Sequence, residues 1–476
     1  MLELSSQSDR HESTKTFLTL LILTETAFLI PIFLEEYLLA FLGFVGLSAL
    51  FFIFNKPENG LIFLPLFLFM PFEIPGLGGV QFSEMGTFLI LLSLVFSVLL
   101  SKPNLGFEVP ALLPILAILA ASIFSVVNAK YYFASLKNIL KYIEAFVLIF
   151  VFTVNMITKK EAILKIFISI LIAASLSAVI GIIRFLAGYE TRVFGLLGAG
   201  FGAYTGLSMI IAANIMIFSH KKSLRFFALS VLILLTAALI LSQTRAWLLA
   251  TIIAFLFVVA KIGNKKYAIA FSVFFMLIFL VVFLSLSQDL LQVKQVDLIS
   301  SATEKAFQTG FASTDIQGKY VSILMRIFIW IHGFTIYMKT PILGFGIGNL
   351  RFRSFFTGEL GAPSEPHVGY VDNHWLNVLY ETGILGIISW IWFALVVYRA
   401  CRELMKNSRE DREWKLISLS LSGAMIIFLV GGMFWTLTVV HEMTVFIPFL
   451  VGLIFASHRI MKFEKLGEYG ISKPSN

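Results

Sequence analysis

AILKIFISILIAASLSAVIGIIRFLA, residues 162–187, is an apolar run with one lysine near its start and one arginine near its end. As a helix it is long enough to cross a hydrocarbon core of roughly 30 Å. Comparable runs recur near residues 17–34, 37–54, 60–72, 84–100, 109–127, 140–157, 202–218, 224–241, 246–261, 267–287, 375–398, 415–436 and 442–460. Short polar breaks separate them, and no period-two alternation suggests a barrel. The pattern predicts an all-α, polytopic helical membrane protein with about 12 to 14 transmembrane helices. The run at 60–72 is short and holds Pro65, so it also fits a re-entrant segment. Composition agrees: 58% of the 476 residues are hydrophobic and 13% are charged, against roughly 25% charged in soluble domains.

Orientation follows from the cations. Lys56, Lys102, Lys159, Lys160, Lys221, Lys222, Lys261, Lys265, Lys266, Arg399, Arg402, Lys406, Arg409 and Arg412 fall in one alternating set of breaks. The other set carries Glu35, Glu36, Glu73 and Glu84 and few cations. Cation-rich loops stay in the cytoplasm, so both termini are expected inside. The net charge of +8 is this bias rather than a nucleic-acid stripe. Met1 to Thr16 is polar and lacks a small-residue cleavage site, so the first span is expected to serve as an uncleaved signal. Cys401 is the only cysteine, which excludes an intrachain disulfide. No internal repeat is visible. The chain divides into N-terminal spans (1–187), a core (188–400) and C-terminal spans with a tail (401–476).

The core holds one large loop, residues 288–373, which the alternation places outside the cytoplasm. Residues 318–340 within it predict a helix lying on the membrane surface, rich in Ile, Phe and Trp. Pro341-Ile342-Leu343-Gly344-Phe345-Gly346-Ile347-Gly348-Asn349 follows, with glycines that permit tight backbone turns. Then comes Asp372-Asn373-His374-Trp375-Leu376-Asn377, a polar cluster at the mouth of an apolar helix. Polar groups at membrane depth cost free energy and mark functional sites. On a helix, His374, Asn377 and Glu381 share a face. Asp372 and Asn373 stand where such residues cap helices. The cluster reads either as a cap with an interfacial histidine, or as a general base for a hydroxyl. Arg192, Arg245 and Arg326 lie on the same outward side. They are either lipid-headgroup anchors or a pyrophosphate site, since a guanidinium forks onto phosphate oxygens. No outward Asp-x-Asp and no His pair at ligand spacing occurs, so no metal site and no cofactor are expected. Glu35-Glu36 reads as topology, and His441-Glu442 stands outward between the last two spans.

Thr191-Arg192-Val193-Phe194-Gly195, Ser242-Gln243-Thr244-Arg245-Ala246, Arg326 to Trp330, Pro341 to Asn349, and Asn373 through Gly386 occur in an order that resembles the O-antigen ligase and O-antigen polymerase family of membrane glycosyltransferases. The resemblance spans about residues 190 to 400. It implies a metal-independent enzyme of the bacterial inner membrane, with its site on the outer, periplasmic side. The implied donor is a glycan on undecaprenyl pyrophosphate. The implied acceptor is another lipid-linked repeat or a lipid A core sugar, in O-antigen, lipopolysaccharide or exopolysaccharide assembly. Arg192, Arg245 and Arg326 would hold the pyrophosphate. Asp372 or His374 would take the hydroxyl proton, with Asn373, Asn377 and Glu381 orienting base or acceptor. The register set by Glu381 and Gly383 puts Asp372 where ligases carry histidine, with His374 two residues late. That departure favours polymerase over ligase. A transporter or flippase of lipid-linked sugars is the rival class, although such proteins show two related halves.

Overall fold

A computed structural model describes residues 57–69, 81–100, 108–262, 330–350 and 371–468, apart from 197, 332, 336, 409 and 439. The expected spans at 17–34, 37–54 and 267–287, and most of the loop 288–373, lie outside the described residues.

The described chain is helical. In order it forms α1 (Pro57–Leu68), α2 (Phe82–Leu100), α3 (Leu112–Ser125), α4 (Tyr132–Met156), α5 (Lys160–Leu186), α6 (Phe201–Phe218), α7 (Lys222–Leu241), α8 (Arg245–Ile262), α9 (His374–Asn407), α10 (Arg412–Gly431) and α11 (His441–Glu468). Eight of these, α4 to α11, are long and apolar enough to cross a membrane, so the protein is a polytopic helical membrane protein. Apolar helices in α1 to α3 are shorter. The short run with Pro65 folds as α1, with the proline inside the helix.

One expected boundary moves. The run at 140–157 begins eight residues earlier, at Tyr132, because the polar stretch with Lys137 and Lys141 is helical too. Within α4, Ile143–Ile149 winds as a π-helix. Such insertions re-aim side chains and often mark functional sites.

α6 is the central helix. Every residue except Met216 is buried, as expected where a helix is apolar all round. Small residues let neighbours approach it closely. A Cβ on Gly202 would stand 2.7 Å from the Trp247 ring of α8, and one on Gly206 would collide with Thr251 one turn further on.

The helix ends sort into two groups. At one end Lys160 pairs with Asp411 and Glu413, each at 3.1 Å. There Arg459 donates to the carbonyls of Asn155 and Ile157, and Lys415 donates to that of Ile262. Lys221, Lys261, Arg399 and Arg402 belong to this end, so these members of the cationic set share one side; Lys56, Lys102, Lys265, Lys266 and Arg409 lie outside the described residues. At the opposite end meet the connections 126–131, 187–200, 242–244, 341–350, 371–373 and 432–440.

Candidate active site

α9 is two helices in series. At Gly383 the backbone turns to φ 69°, ψ −166°, and the i→i−4 ladder stops. The glycine-rich segment 341–346 completes it. The Phe345 and Gly346 amides donate to the freed carbonyls of Tyr380 and Glu381, each at 3.0 Å. The Ile384 amide donates to Pro341 and that of Leu385 to Ile342. Non-helical backbone at membrane depth is tolerated where protein groups satisfy it this way. Gly344, Gly346 and Gly348 all have positive φ. A Cβ on Gly344 would lie 2.5 Å from the Glu381 carbonyl carbon. The apolar run at 375–398, read from the sequence as one span, is broken at Gly383, because the loop needs that place.

The other face of the segment is held by α3 and α4. Asn349 is fully buried. Its Oδ1 accepts from the Tyr131 amide at 2.7 Å, and its Nδ2 donates to Ser135 at 2.7 Å. Ser135 in turn donates to the Ile347 carbonyl, Ser125 accepts from the Ile347 amide, and Asn128 donates to the Gly344 carbonyl. Glu381 closes the clamp. Its Oε1 accepts from the Leu350 amide at 3.1 Å and its Oε2 from Asn377 Nδ2 at 3.2 Å. Asn377 and Glu381 thus share a face as expected, but both are buried and hold the loop. Sequence reasoning passed over Asn349, Ser125 and Ser135 as site residues. The asparagine ending the glycine run was the available signal.

At the mouth of α9, Val371 is pinned by the Trp330 indole, which donates to its carbonyl at 2.7 Å. Trp330 also accepts from the Tyr380 hydroxyl. Asp372 follows with φ 48° and is half-buried. The cap residue is Asn373, its Oδ1 accepting from the Leu376 amide at 3.1 Å. The His374 amide donates to the Gly432 carbonyl at 2.7 Å. Its ring is 1% exposed and packs edge-on against Trp390, with centroids 4.7 Å apart, and against Trp375. Neither ring nitrogen has a hydrogen-bond partner.

Arg192 and Arg245 lie in neighbouring connections at the same end. The Val193 amide donates to the Leu241 carbonyl at 3.1 Å, which ties the two loops. Arg192 is exposed over the Phe194 ring, 4.4 Å away. Arg245 is the exposed first residue of α8. Two residues on, Trp247 packs edge-on against Trp435, with centroids 5.7 Å apart, and against Gly431. Gly432 receives the His374 amide, so the arginine loops and the mouth of α9 are joined through one packed unit. Arg326 lies outside the described residues, as does Glu35-Glu36.

A second polar group sits beside the π-helical turn. Glu442 accepts from Ser83 at 2.7 Å, and His441 Nδ1 lies 3.8 Å from the Glu144 carboxylate. His441 and Glu442 are buried. Among the described residues no three His, Cys, Asp or Glu side chains converge as a metal site.

Residues 229–391 match the family model described as O-antigen ligase. This part of the chain is an O-antigen ligase family domain. It runs from α7 into the second half of α9. It therefore takes in the Arg245 loop, the 341–349 segment and the broken helix, while Arg192 precedes it. A search of curated protein sequences gave no match. O-antigen ligases are glycosyltransferase-like membrane enzymes acting on lipid-linked glycans, and residues 229–391 are similar to that class.

Proposed function

We propose that the protein transfers a glycan from undecaprenyl pyrophosphate to a sugar hydroxyl on the outer face of the bacterial inner membrane, as a polymerase rather than a ligase. The observation that carries this reading is the broken α9. Its mouth holds Asp372 half-buried at the same end of the bundle as Arg192 and Arg245. In the reaction Asp372 takes the acceptor hydroxyl proton. The oxygen attacks the anomeric carbon, and the bond from that carbon to the pyrophosphate oxygen breaks. Arg192, Arg245 and Arg326 stabilise the charge on the departing pyrophosphate. Asn373 holds the helix start, and Asn377 with Glu381 positions the mouth through the loop. His374, walled by indoles, flanks the base. No divalent metal takes part in this scheme.

The polymerase preference rests on Asp372 standing at the position of the ligase histidine. The cationic end faces the cytoplasm in this reading, with both termini inside. One observation also favours a transporter of lipid-linked sugars, since broken helices line transporter sites. In transporters they come as pairs at the midplane, whereas this break is filled by a loop segment.

The test is complementation of a glycan-assembly strain with Arg245→Ala and Arg326→Ala. Each loses a charge-assisted phosphate contact of about 1.5 to 3 kcal/mol, or roughly tenfold to a hundredfold in rate. Visible polymer or ligated glycan should vanish while membrane insertion persists. Unchanged glycan ladders with both variants would sink the pyrophosphate site.

A further inference from the structure

At the cationic end, opposite the broken mouth of α9, a cavity of about 870 Å³ opens between α8, α9 and α10. Lys261, Arg399, Arg402, Lys406 and Lys415 line it with a single carboxylate, Glu403. A bias of cations to one side explains why they are at this end. It does not explain their convergence from three helices on one cavity, where like charges repel.

Three acids of this end, Asp411, Glu413 and Glu464, are engaged away from the cavity. Asp411 caps α10 and pairs with Lys160, and Glu413 pairs with the same lysine. Burial alone would raise the Asp411 carboxyl, but the Trp414 amide and Lys160 outweigh it and hold it below its usual range. Glu464 takes the Trp414 indole. Among the described residues Lys261, Arg399, Arg402 and Lys406 form no ion pair. Lys415 is spent on the Ile262 carbonyl and the Phe218 ring. The cavity thus presents unbalanced positive charge with two guanidinium forks suited to phosphate.

A second feature distinguishes the sources of that phosphate. Ile388, Ile391, Trp392, Leu395 and Tyr398 are exposed. Their spacing of three and four residues places them on one stripe of α9, and the same stripe continues into Arg399 and Arg402 at the cavity. An apolar track ending in a cationic pocket fits an amphiphile with hydrocarbon tails and a phosphate head. Basic pockets between membrane helices on the cytoplasmic side are known hosts for anionic headgroups.

We propose that this cavity binds the phosphate-bearing headgroup of an anionic phospholipid whose acyl chains lie along the exposed stripe of α9. The proposal stands apart from the transfer reaction.

The experiment uses the full chain, delipidated in detergent and returned to nanodiscs. One arm titrates phosphatidylglycerol into phosphatidylcholine discs, and another adds inorganic phosphate to phosphatidylcholine discs. Thermal stability and lipid retained on repurification are read. Phosphatidylglycerol should raise the melting temperature and be retained selectively. Arg399→Ala/Arg402→Ala should weaken its half-saturation by about tenfold to thirtyfold. Both side chains are exposed, and equal melting of variant and parent in pure phosphatidylcholine checks the fold. The charge-retaining Arg399→Lys/Arg402→Lys should recover most of the binding. Equal stabilisation by extra phosphatidylcholine, or retention unchanged in the alanine variant, overturns the site. An equal shift from inorganic phosphate overturns the lipid and leaves a soluble phosphate as the ligand.

Discussion

Gly383→Ala asks whether the break in α9 is a designed feature of the site. Gly383 occupies φ 69°, ψ −166°, a region almost reserved for glycine, where another residue costs about 1–3 kcal/mol. A Cβ there presses on the Ile342 carbonyl and comes 2.7 Å from the Gly344 nitrogen. Both obstacles are backbone, so no rotamer relieves them. The chain can relax by closing the helix, which returns the Ile384 and Leu385 amides to the carbonyls four residues back. Alanine also favours helix over glycine by about 1 kcal/mol. Strain and propensity together, about 2–4 kcal/mol, shift the balance toward a closed helix by roughly thirtyfold to seven-hundredfold. The signature is asymmetric. In hydrogen exchange the Phe345 and Gly346 amides lose their acceptors and should lose protection, while Ile384 and Leu385 keep theirs. Glycan transfer should fall with the loop. Gly188→Ala is the control, at φ 76° with nothing within 4 Å: it should lower the melting temperature and leave exchange at 345–346 alone. Folded Gly383→Ala with unchanged exchange at Phe345 and Gly346 and full glycan transfer would refute the reasoning.

Asn349→Ala should lower stability by about 1–3 kcal/mol, because the fully buried side chain loses its bonds with the Tyr131 amide and the Ser135 hydroxyl; a melting temperature equal to that of the parent would contradict the clamp. Asp372→Asn should remove glycan transfer while His374→Gln keeps a measurable fraction, and the reverse pattern in folded proteins would exchange their roles. Purified protein in excess chelator should transfer glycan as fast as in magnesium, and a collapse restored by a divalent ion would overturn the metal-independent scheme.

The helices were legible because each had to hide its own backbone in hydrocarbon, which forces long apolar runs such as 162–187. The turns between them were legible from charge. What the apolar pattern did not show was helix continuing through polar residues. Tyr132 to Lys141 carries two lysines and a serine, so it reads as loop, yet Ser135 faces inward and is used by Asn349. The π-helical turn at Ile143–Ile149 has no local signature at all. It packs against α11.

The site was half legible for a related reason. Residue types at the mouth of α9 were recognisable, but their division of labour depends on burial, which pattern does not encode. Asn373 and Asp372 are both good caps in isolation. The structure gives the cap to Asn373 and turns Asp372 to positive φ. Glu381 and Asn377 looked like groups for substrate, but their polar atoms hold each other and the Leu350 amide. Chemistry alone would choose His374 as base, since imidazole titrates near neutrality. Its ring, however, is sealed between Trp375 and Trp390 with both nitrogens unpartnered, and a base must come within about 3.2 Å of the proton it takes. Asp372 is the less sheltered of the two, half-buried where His374 is 1% exposed. Access therefore supports the carboxylate where intrinsic basicity does not.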